Sequence, residues 1–383
     1  MRAFGTTTPG ATLELDQPHH GAGELSLRIA RCALLVASPN PRVGCVLTGP
    51  RDLILGQGHT QRAGGPHAEI MALRDAAAKG HDVRGATAWV TLEPCSHQGR
   101  TGPCCDALIA AGIRKVVASI ADPNPLVAGR GFDRLRAAGL EVEIGPGAAE
   151  SRELNIGFFS RMIRKTPWVR MKIAASLDGR TALANGQSQW ITSEPARIDG
   201  HAWRARACAV LTGIGTVLED DPRLDVRLVD TPRQPHLVVV DSRMETPLDA
   251  RLWDQPRQVF IYAAQSTPAK QAALEAKGAQ VILLSGLGGK VDLAAMLSDL
   301  ARREVNEVHV EAGHKLNGSL VQAGLIDEFL VYIAPKLIGP GRGLAQLPEL
   351  ADLTGAVQLD FRTVERIGSD LRITARLPGR DQF

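Results

Sequence analysis

Apolar positions in the first third of the chain alternate between helical and strand spacing. Over Glu24–Val36 they fall three and four residues apart, which is one face of a helix. Val43–Leu47 and Leu53–Gly56 are short apolar runs separated by Gly49-Pro50, the pattern of a hairpin. Pro66 followed by Ala68–Lys79 predicts a helix with proline near its first turn. Thr87–Leu92 reads as a strand and Cys105–Ala111 as a helix stopped by Gly112. Val116–Ile120 is another strand, and Gly131–Ala138 a helix stopped by Gly139. Strands alternating with helices of about ten residues predict a layered α/β domain.

After Gly145-Pro-Gly147, residues Pro146–Arg164 read as a helical connection. Pro167 then opens a second series of strands: Trp168–Ala174, Ala209–Leu211, His236–Val240, Gln258–Tyr262, Val281–Leu284, Glu307–Val310 and Phe329–Ala334. Pro268–Lys277 and Leu293–Arg303 are helices between them. The expected division is a disordered extension over 1–23, a first domain over 24–146, a connection over 147–166 and a second domain over 167–383.

Composition agrees with two domains. The chain has 383 residues, 44% hydrophobic and 22% charged, enough for two separate cores. Its 44 basic and 41 acidic residues nearly balance, and no Lys/Arg run reaches five, so no nucleic-acid partner is expected. No apolar run approaches the roughly 18 residues of a membrane span, and the first residues lack a hydrophobic signal core. A cytoplasmic protein is expected. Six cysteines are too few for a disulfide scaffold and fit thiols or metal ligands. Cys32, Cys45 and Cys208 sit in apolar segments and read as small core residues.

Chemistry concentrates at His67-Ala-Glu69, Pro94-Cys95 and Cys104. Zinc takes nitrogen and sulfur ligands in a tetrahedron, and a catalytic zinc keeps one position open for water. One histidine and two cysteines supply three ligands and leave that position free. Glu69, two residues past the histidine, can carry the water proton. The set follows the zinc-deaminase pattern H-x-E…P-C-x-x-C, except that eight residues separate Cys95 from Cys104. Cys105, adjacent to Cys104, is the alternative thiol ligand.

Ser38-Pro-Asn-Pro-Arg-Val-Gly44, Gly58-His59, His67-Ala-Glu69 and the segment Glu93–Cys104 resemble the bifunctional deaminase/reductase family of riboflavin biosynthesis. The family usually reads Thr-Pro-Pro-Cys where this chain has Thr101-Gly-Pro-Cys104. The resemblance implies His67, Cys95 and Cys104 as zinc ligands, Glu69 as proton shuttle, and Asn40 and His59 as pyrimidine contacts.

In the second half, Gly213-Ile-Gly215 lacks the third glycine of a dinucleotide fingerprint. His309–Ser319 reads as a strand, a glycine-rich loop and a helix starting at Ser319, which could bind phosphate or be a plain turn. Pro167–Lys172, Ser176–Arg180, Ser188–Thr192, Gly215–Pro222 and Ala334–Gly339 resemble the same family's reductase domain, which is similar to dihydrofolate reductase in fold. The resemblance implies NADPH contacts at Ala174, Trp190, Thr216, Asp220, Gly313, His314, Lys315, Leu316, Asn317, Gly318 and Ser319. It implies substrate contacts at Ser188, Arg204, Leu224, Arg227 and Glu311, the two arginines suiting a sugar phosphate. Lys172, Asp178 and Glu311 are candidate proton donors.

The expected fold is thus a cytidine-deaminase-like three-layer α/β domain followed by a dihydrofolate-reductase-like α/β domain. The expected activity is zinc-dependent deamination of a diaminopyrimidinone ribosyl phosphate, then NADPH-dependent reduction of the ribosyl chain, in a homo-oligomer. Two rivals share the zinc motif. A nucleic-acid base deaminase should show basic or aromatic patches, yet aromatics are 4%. A non-catalytic zinc staple gives Glu69 no reason to stand beside His67.

Overall fold

A computed structural model describes residues 21–98 and 102–383. Residues 1–20 of the expected extension lie outside the described residues. The chain divides into two compact units between Arg164 and Lys165. Among the described residues no helix is long and apolar enough to cross a membrane.

In the first unit the described strands are β1 (Gly44–Thr48), β2 (Ile54–His59), β3 (Thr87–Val90), β4 (Lys115–Ala118) and β5 (Glu141–Ile144), in sheet order β2-β1-β3-β4-β5. β1 pairs antiparallel with β2 and β3, whereas β3, β4 and β5 run parallel. The helices are α1 (Ala22–Arg31), α2 (Ala68–Ala78), α3 (Cys104–Ala110), α4 (Arg130–Ala137), α5 (Ala148–Leu154) and α6 (Ile156–Arg164). Glycine lets two helices close on the sheet. A Cβ on Gly44 would meet the Ser26 carbonyl of α1 at 2.0 Å, and one on Gly56 would meet the Ala72 carbonyl of α2 at 2.3 Å. Gly112 and Gly139 adopt positive φ just beyond α3 and α4, as C-terminal caps require.

The segment expected as a connection, 147–166, is through Arg164 part of the first unit. Its hydrogen bonds explain why. Asn155 Oδ1 accepts the Arg42 N–H at 2.7 Å, and Asn155 Nδ2 donates to the Arg42 carbonyl at 3.0 Å. Arg161 donates to the Pro39 carbonyl at 3.2 Å. Ile156, Phe158 and Phe159 are buried, each worth roughly 1.5–3 kcal/mol relative to exposure. The two helices therefore brace the 38–42 loop.

The second unit is built on a nine-stranded sheet among the described residues. Its strands are β6 (Trp168–Ser176), β8 (Ala209–Gly213), β9 (His236–Val240), β10 (Val259–Ala263), β11 (Ala279–Leu283), β12 (Glu307–Val310), β13 (Glu328–Ala334), β15 (Asp360–Ile367) and β16 (Asp370–Arg376). Their order is β11-β10-β9-β8-β12-β6-β13-β16-β15. Pairing is parallel from β11 to β13 and antiparallel through β16 and β15. The short strands β7 (Ala182–Leu183) and β14 (Gly341–Arg342) pair separately. Helices α7 (Glu194–Arg206), α8 (Ile214–Asp220), α9 (Pro268–Ala276), α10 (Leu293–Arg302) and α11 (His314–Gln322) connect the strands.

Strand alternation divides β12 into two chemistries. Val308 and Val310 enter a core with Met171, Leu211, Leu300 and Leu320. Glu307 and His309 point the other way and are fully buried. Arg170 pairs with Glu307 at 3.1 Å and with Glu328, and Arg376 reaches Glu328 at 2.6 Å. Arg170 also lies over the Trp203 ring of α7 at 4.5 Å. Buried charges persist here because each has an opposite partner.

Candidate functional sites

Two helix starts converge in the first unit. His67 is the N-cap of α2, with Glu69 in the first turn. Cys104 is the first residue of α3, and its N–H donates to Cys95 Sγ at 3.4 Å. The ligand atoms of His67, Cys95 and Cys104 all lie within 4.8 Å of one another. His67 Nδ1 is 3.6 Å from Cys95 Sγ and 3.4 Å from Cys104 Sγ. With Zn–S near 2.3 Å and Zn–N near 2.0–2.1 Å, a tetrahedral angle places sulfur and nitrogen about 3.6 Å apart. The spacing therefore fits zinc, and so does the donor chemistry. Cys105 turns away, its thiol donating to the carbonyls of Pro94 at 3.2 Å and Gly131 at 3.5 Å.

Electrostatics at the cluster follow from burial and neighbours. Hydrogen bonding with Cys104, aided by His67, holds the Cys95 thiol well below the usual thiol range despite burial. Helix N-termini favour such thiolates. Burial pushes the Glu69 carboxyl up to about 7, with the Cys95 charge adding to the rise. Glu69 is 4% exposed, so this carboxyl is shielded and able to hold a proton.

Glu93 clamps the chain beside the cluster, which the sequence pattern did not single out beyond its place in the motif. Its carboxylate accepts the backbone N–H groups of Asp122 at 3.1 Å, Gly129 at 2.9 Å, Gly131 at 2.8 Å and Phe132 at 3.4 Å. A Cβ on Gly131 would meet the Pro94 carbonyl at 2.1 Å. Glu93 thereby fixes the chain on which Cys95 stands. An acidic residue directly before Pro-Cys at the end of a buried strand was the available signal.

His59 is the last residue of β2. It pairs with Gly44 across β1–β2, and the bare face of Gly44 abuts α1. His59 lines a cavity of about 490 Å³ with Ile29, Cys32 and Met71, and that cavity includes none of the three ligands. Asn40 sits in the loop braced by α5 and α6, its N–H donating to the Ala37 carbonyl at 2.9 Å.

In the second unit a cavity of about 480 Å³ is walled by residues of β6, α7 and α8, by Glu311–Gly313 after β12 and by the start of α11. Ala174, Trp190, Thr216, Asp220, Gly313, His314 and Asn317 line it, as do Ser188, Arg204, Leu224, Arg227 and Glu311. Lys315, Leu316, Gly318 and Ser319 are not in its lining. The helix expected from Ser319 begins instead at His314, capped by Gly313, so positions 315–319 are helical and rotate around the axis. Leu316 packs on the core, and Gly318 lies so close to Gln346 that a Cβ would meet its carbonyl at 2.1 Å. Ser319 donates to the Lys315 carbonyl at 3.2 Å.

Arg204 grips Glu311 at two points inside this cavity, and Lys172 Nζ stands 3.9 Å from Glu311 Oε2. Burial alone would raise the Glu311 carboxyl. Arg204 and Lys172 overcome that and hold it well below the usual carboxylate range. Burial lowers Lys172, with Glu311 opposing. Of the three candidate proton donors, Lys172 and Glu311 line the cavity. Asp178 instead accepts the N–H groups of Ile338 at 3.2 Å and Gly339 at 2.8 Å, fixing a turn.

Comparison with known proteins finds the same family over both units. Residues 19–120 match the cytidine and deoxycytidylate deaminase zinc-binding region, and residues 167–373 match the RibD C-terminal domain. The riboflavin biosynthesis protein RibD of Escherichia coli is 44% identical over 359 residues, covering 90% of this chain and 96% of that protein. RibD of Aquifex aeolicus is 39% identical over 350 residues, covering 91% and 96%. The solved structure of Acinetobacter baumannii RibD superposes with a TM-score of 0.83 at 38% identity, covering 93% of this chain and 97% of that one. A Thermotoga maritima diaminohydroxyphosphoribosylaminopyrimidine deaminase/5-amino-6-(5-phosphoribosylamino)uracil reductase gives 0.83 at 32% identity, covering 93% and 97%. The chain therefore belongs to the RibD family, the bifunctional deaminase/reductases of riboflavin biosynthesis that join a zinc-binding deaminase domain to an NADPH-using reductase domain.

Proposed function

We propose that His67, Cys95 and Cys104 hold the zinc of the deaminase domain, and that Glu69 carries protons between water and the leaving amine. The observation behind this is the sulfur–nitrogen spacing of 3.4 and 3.6 Å beside a buried carboxyl. Zinc supplies the acidity that makes water a nucleophile near neutral pH. Glu69 takes the proton from that water and delivers it to the departing nitrogen of 2,5-diamino-6-ribosylamino-4(3H)-pyrimidinone 5′-phosphate. Glu93 keeps Cys95 in register during both transfers. Asn40, on its braced loop, and His59, at the end of β2, are the proposed pyrimidine contacts.

In the reductase domain NADPH supplies the hydride that converts the ribosyl chain to ribityl. Ala174, Trp190, Thr216, Asp220, Gly313, His314 and Asn317 are the proposed walls for the cofactor. Ser188, Arg204, Leu224, Arg227 and Glu311 are proposed to hold the ribosyl phosphate.

Metal analysis with an ammonia assay tests the ligand set. Cys104→Ser is expected to lose zinc and ammonia release, and Cys105→Ser to keep the metal. Full zinc content and activity in Cys104→Ser would overturn the assignment.

A further inference from the structure

The loop that carries Leu224 and Arg227 into the reductase cavity is bent against its own preference. Asp221 has φ 40° and Leu224 has φ 50°, left-handed values that cost a residue with a side chain roughly 1–3 kcal/mol each. Both bends are held from the segment between β9 and β10. The Arg251 N–H donates to Asp221 Oδ1 at 2.8 Å. Arg257, two residues before β10, donates through Nη1 to the Leu224 carbonyl at 2.6 Å and through Nη2 to the Arg223 carbonyl at 2.6 Å. Nη2 also reaches the Leu252 carbonyl at 3.3 Å. Burial lowers the Arg257 guanidinium to about 10, so this cation is held in a place that disfavours its charge. Its rigid fork suits two successive carbonyls, which a lysine cannot match.

In front of this brace stands a buried carboxylate. Asp225 is 1% exposed and pairs with Arg227 at 2.6 Å and Arg223 at 2.8 Å. The Arg227 N–H donates to His201 Nδ1 at 3.2 Å. The direction of the Arg227 side chain thus depends on the course of the main chain at 223–225.

We propose that Arg257 is a positioning residue of the reductase: it locks the Arg223–Leu224 main chain so that Leu224 and Arg227 face the cavity and meet the sugar phosphate. The inference rests on the reading that this cavity takes the ribosyl phosphate. When the fork is removed, Leu224 relaxes toward negative φ and turns the chain that aims Arg227.

The test uses the full chain as wild type, Arg257→Met, Arg257→Lys and Arg227→Ala. Reduction is followed with the deaminated pyrimidine ribosyl phosphate and with its dephosphorylated nucleoside, NADPH being varied separately. Ammonia release checks the first unit. Arg257→Met keeps an unbranched chain without N–H groups. It is expected to raise KM for the phosphorylated substrate about tenfold, with kcat and the KM of NADPH within about twofold. The preference for phosphate over nucleoside falls in proportion, and Arg257→Lys recovers part of it. A merely structural loss would lower thermal stability and every kinetic constant together while leaving that preference intact, which overturns the proposal. An unchanged KM in Arg257→Met beside a raised KM in Arg227→Ala also overturns it. Unchanged preference in both variants overturns the cavity reading beneath it. Should Arg257→Met fail to fold, Arg257→Lys decides alone: a preference lowered about threefold or more supports the brace, and an unaltered one removes it.

Discussion

Arg204 and Glu311 meet as a two-point ion pair, Nε to Oε1 at 2.7 Å and Nη2 to Oε2 at 2.9 Å, on the wall of the reductase cavity. Such a bidentate pair fixes both planes at once. It also ties α7 to the end of β12, since Arg204 lies on α7 and Glu311 directly follows Val310. The cavity wall is therefore only as well placed as this pair.

Arg204→Ala is expected to lower reduction of the deaminated substrate about 10²-fold, because a small misplacement of the reacting carbon costs that much. Ammonia release should stay within about twofold of wild type. Loss of both activities in a folded variant would contradict separate sites.

Glu69→Gln supplies the converse case. The amide keeps the shape of the carboxyl but cannot carry the proton. Ammonia release is expected to fall about 10²–10⁴-fold with zinc retained. NADPH oxidation with the already deaminated substrate should persist. A fall in ammonia release of less than about threefold would remove Glu69 from the mechanism.

The legible parts of the chain were those with a regular apolar period or an unambiguous breaker. The β1–β2 hairpin, α2, α3, α4 and the inner strands of the second sheet show such patterns. Helix α7 does not, because its buried positions include Asp199, His201 and Arg204, which leave no apolar stripe. Strand β15 is exposed on both faces over most of its length, so it lacks the in-and-out alternation that marks a half-buried strand. Helix α11 starts five residues before the Ser319 that its sequence suggests, because Gly318 looks like a loop residue and is in fact a close-packing position. For the sites, residue order was enough to pair His67 with two cysteines. It could not show that Glu93 gathers four backbone donors, because those donors come from residues 122–132 and meet only in the fold.

Glu93→Gln tests that clamp. An amide presents one acceptor oxygen and one donor nitrogen, so two of the four backbone N–H groups would face an N–H₂ group. Supports of this kind are typically worth 10–100-fold in metal affinity or activity. Zinc affinity in a chelator competition and ammonia release are both expected to fall by that order, with reduction unaffected. Wild-type zinc affinity in the variant would show that Cys95 holds its place without Glu93.

Stability of the second unit should fall as pH drops from 6.5 toward 4, through two buried histidines. Burial lowers His309 to about 3, with Arg170, Arg204 and Lys172 opposing its charge and Glu311 favouring it. Burial, Arg204 and Arg227 lower His201 to about 4. An unfolded histidine titrates near 6.5. Between these values the unfolded chain binds protons that the folded unit refuses, so stability rises with pH across the window and is lost as pH falls. Glu311 acts below it: its carboxyl is depressed in the fold, so its contribution is present above about 4.5 and is lost only in stronger acid. For His309 alone the loss by pH 4.5 is on the order of 2 kcal/mol. Trp168, Trp190, Trp203 and Trp253 all lie in the second unit, so tryptophan emission during urea unfolding reports mainly on it. His309→Gln cannot gain a proton in the unfolded state. Its urea midpoint should fall less than the wild-type midpoint between pH 7 and pH 4.5, whatever its stability at pH 7. An equal fall in both proteins would show that His309 is not the group being titrated.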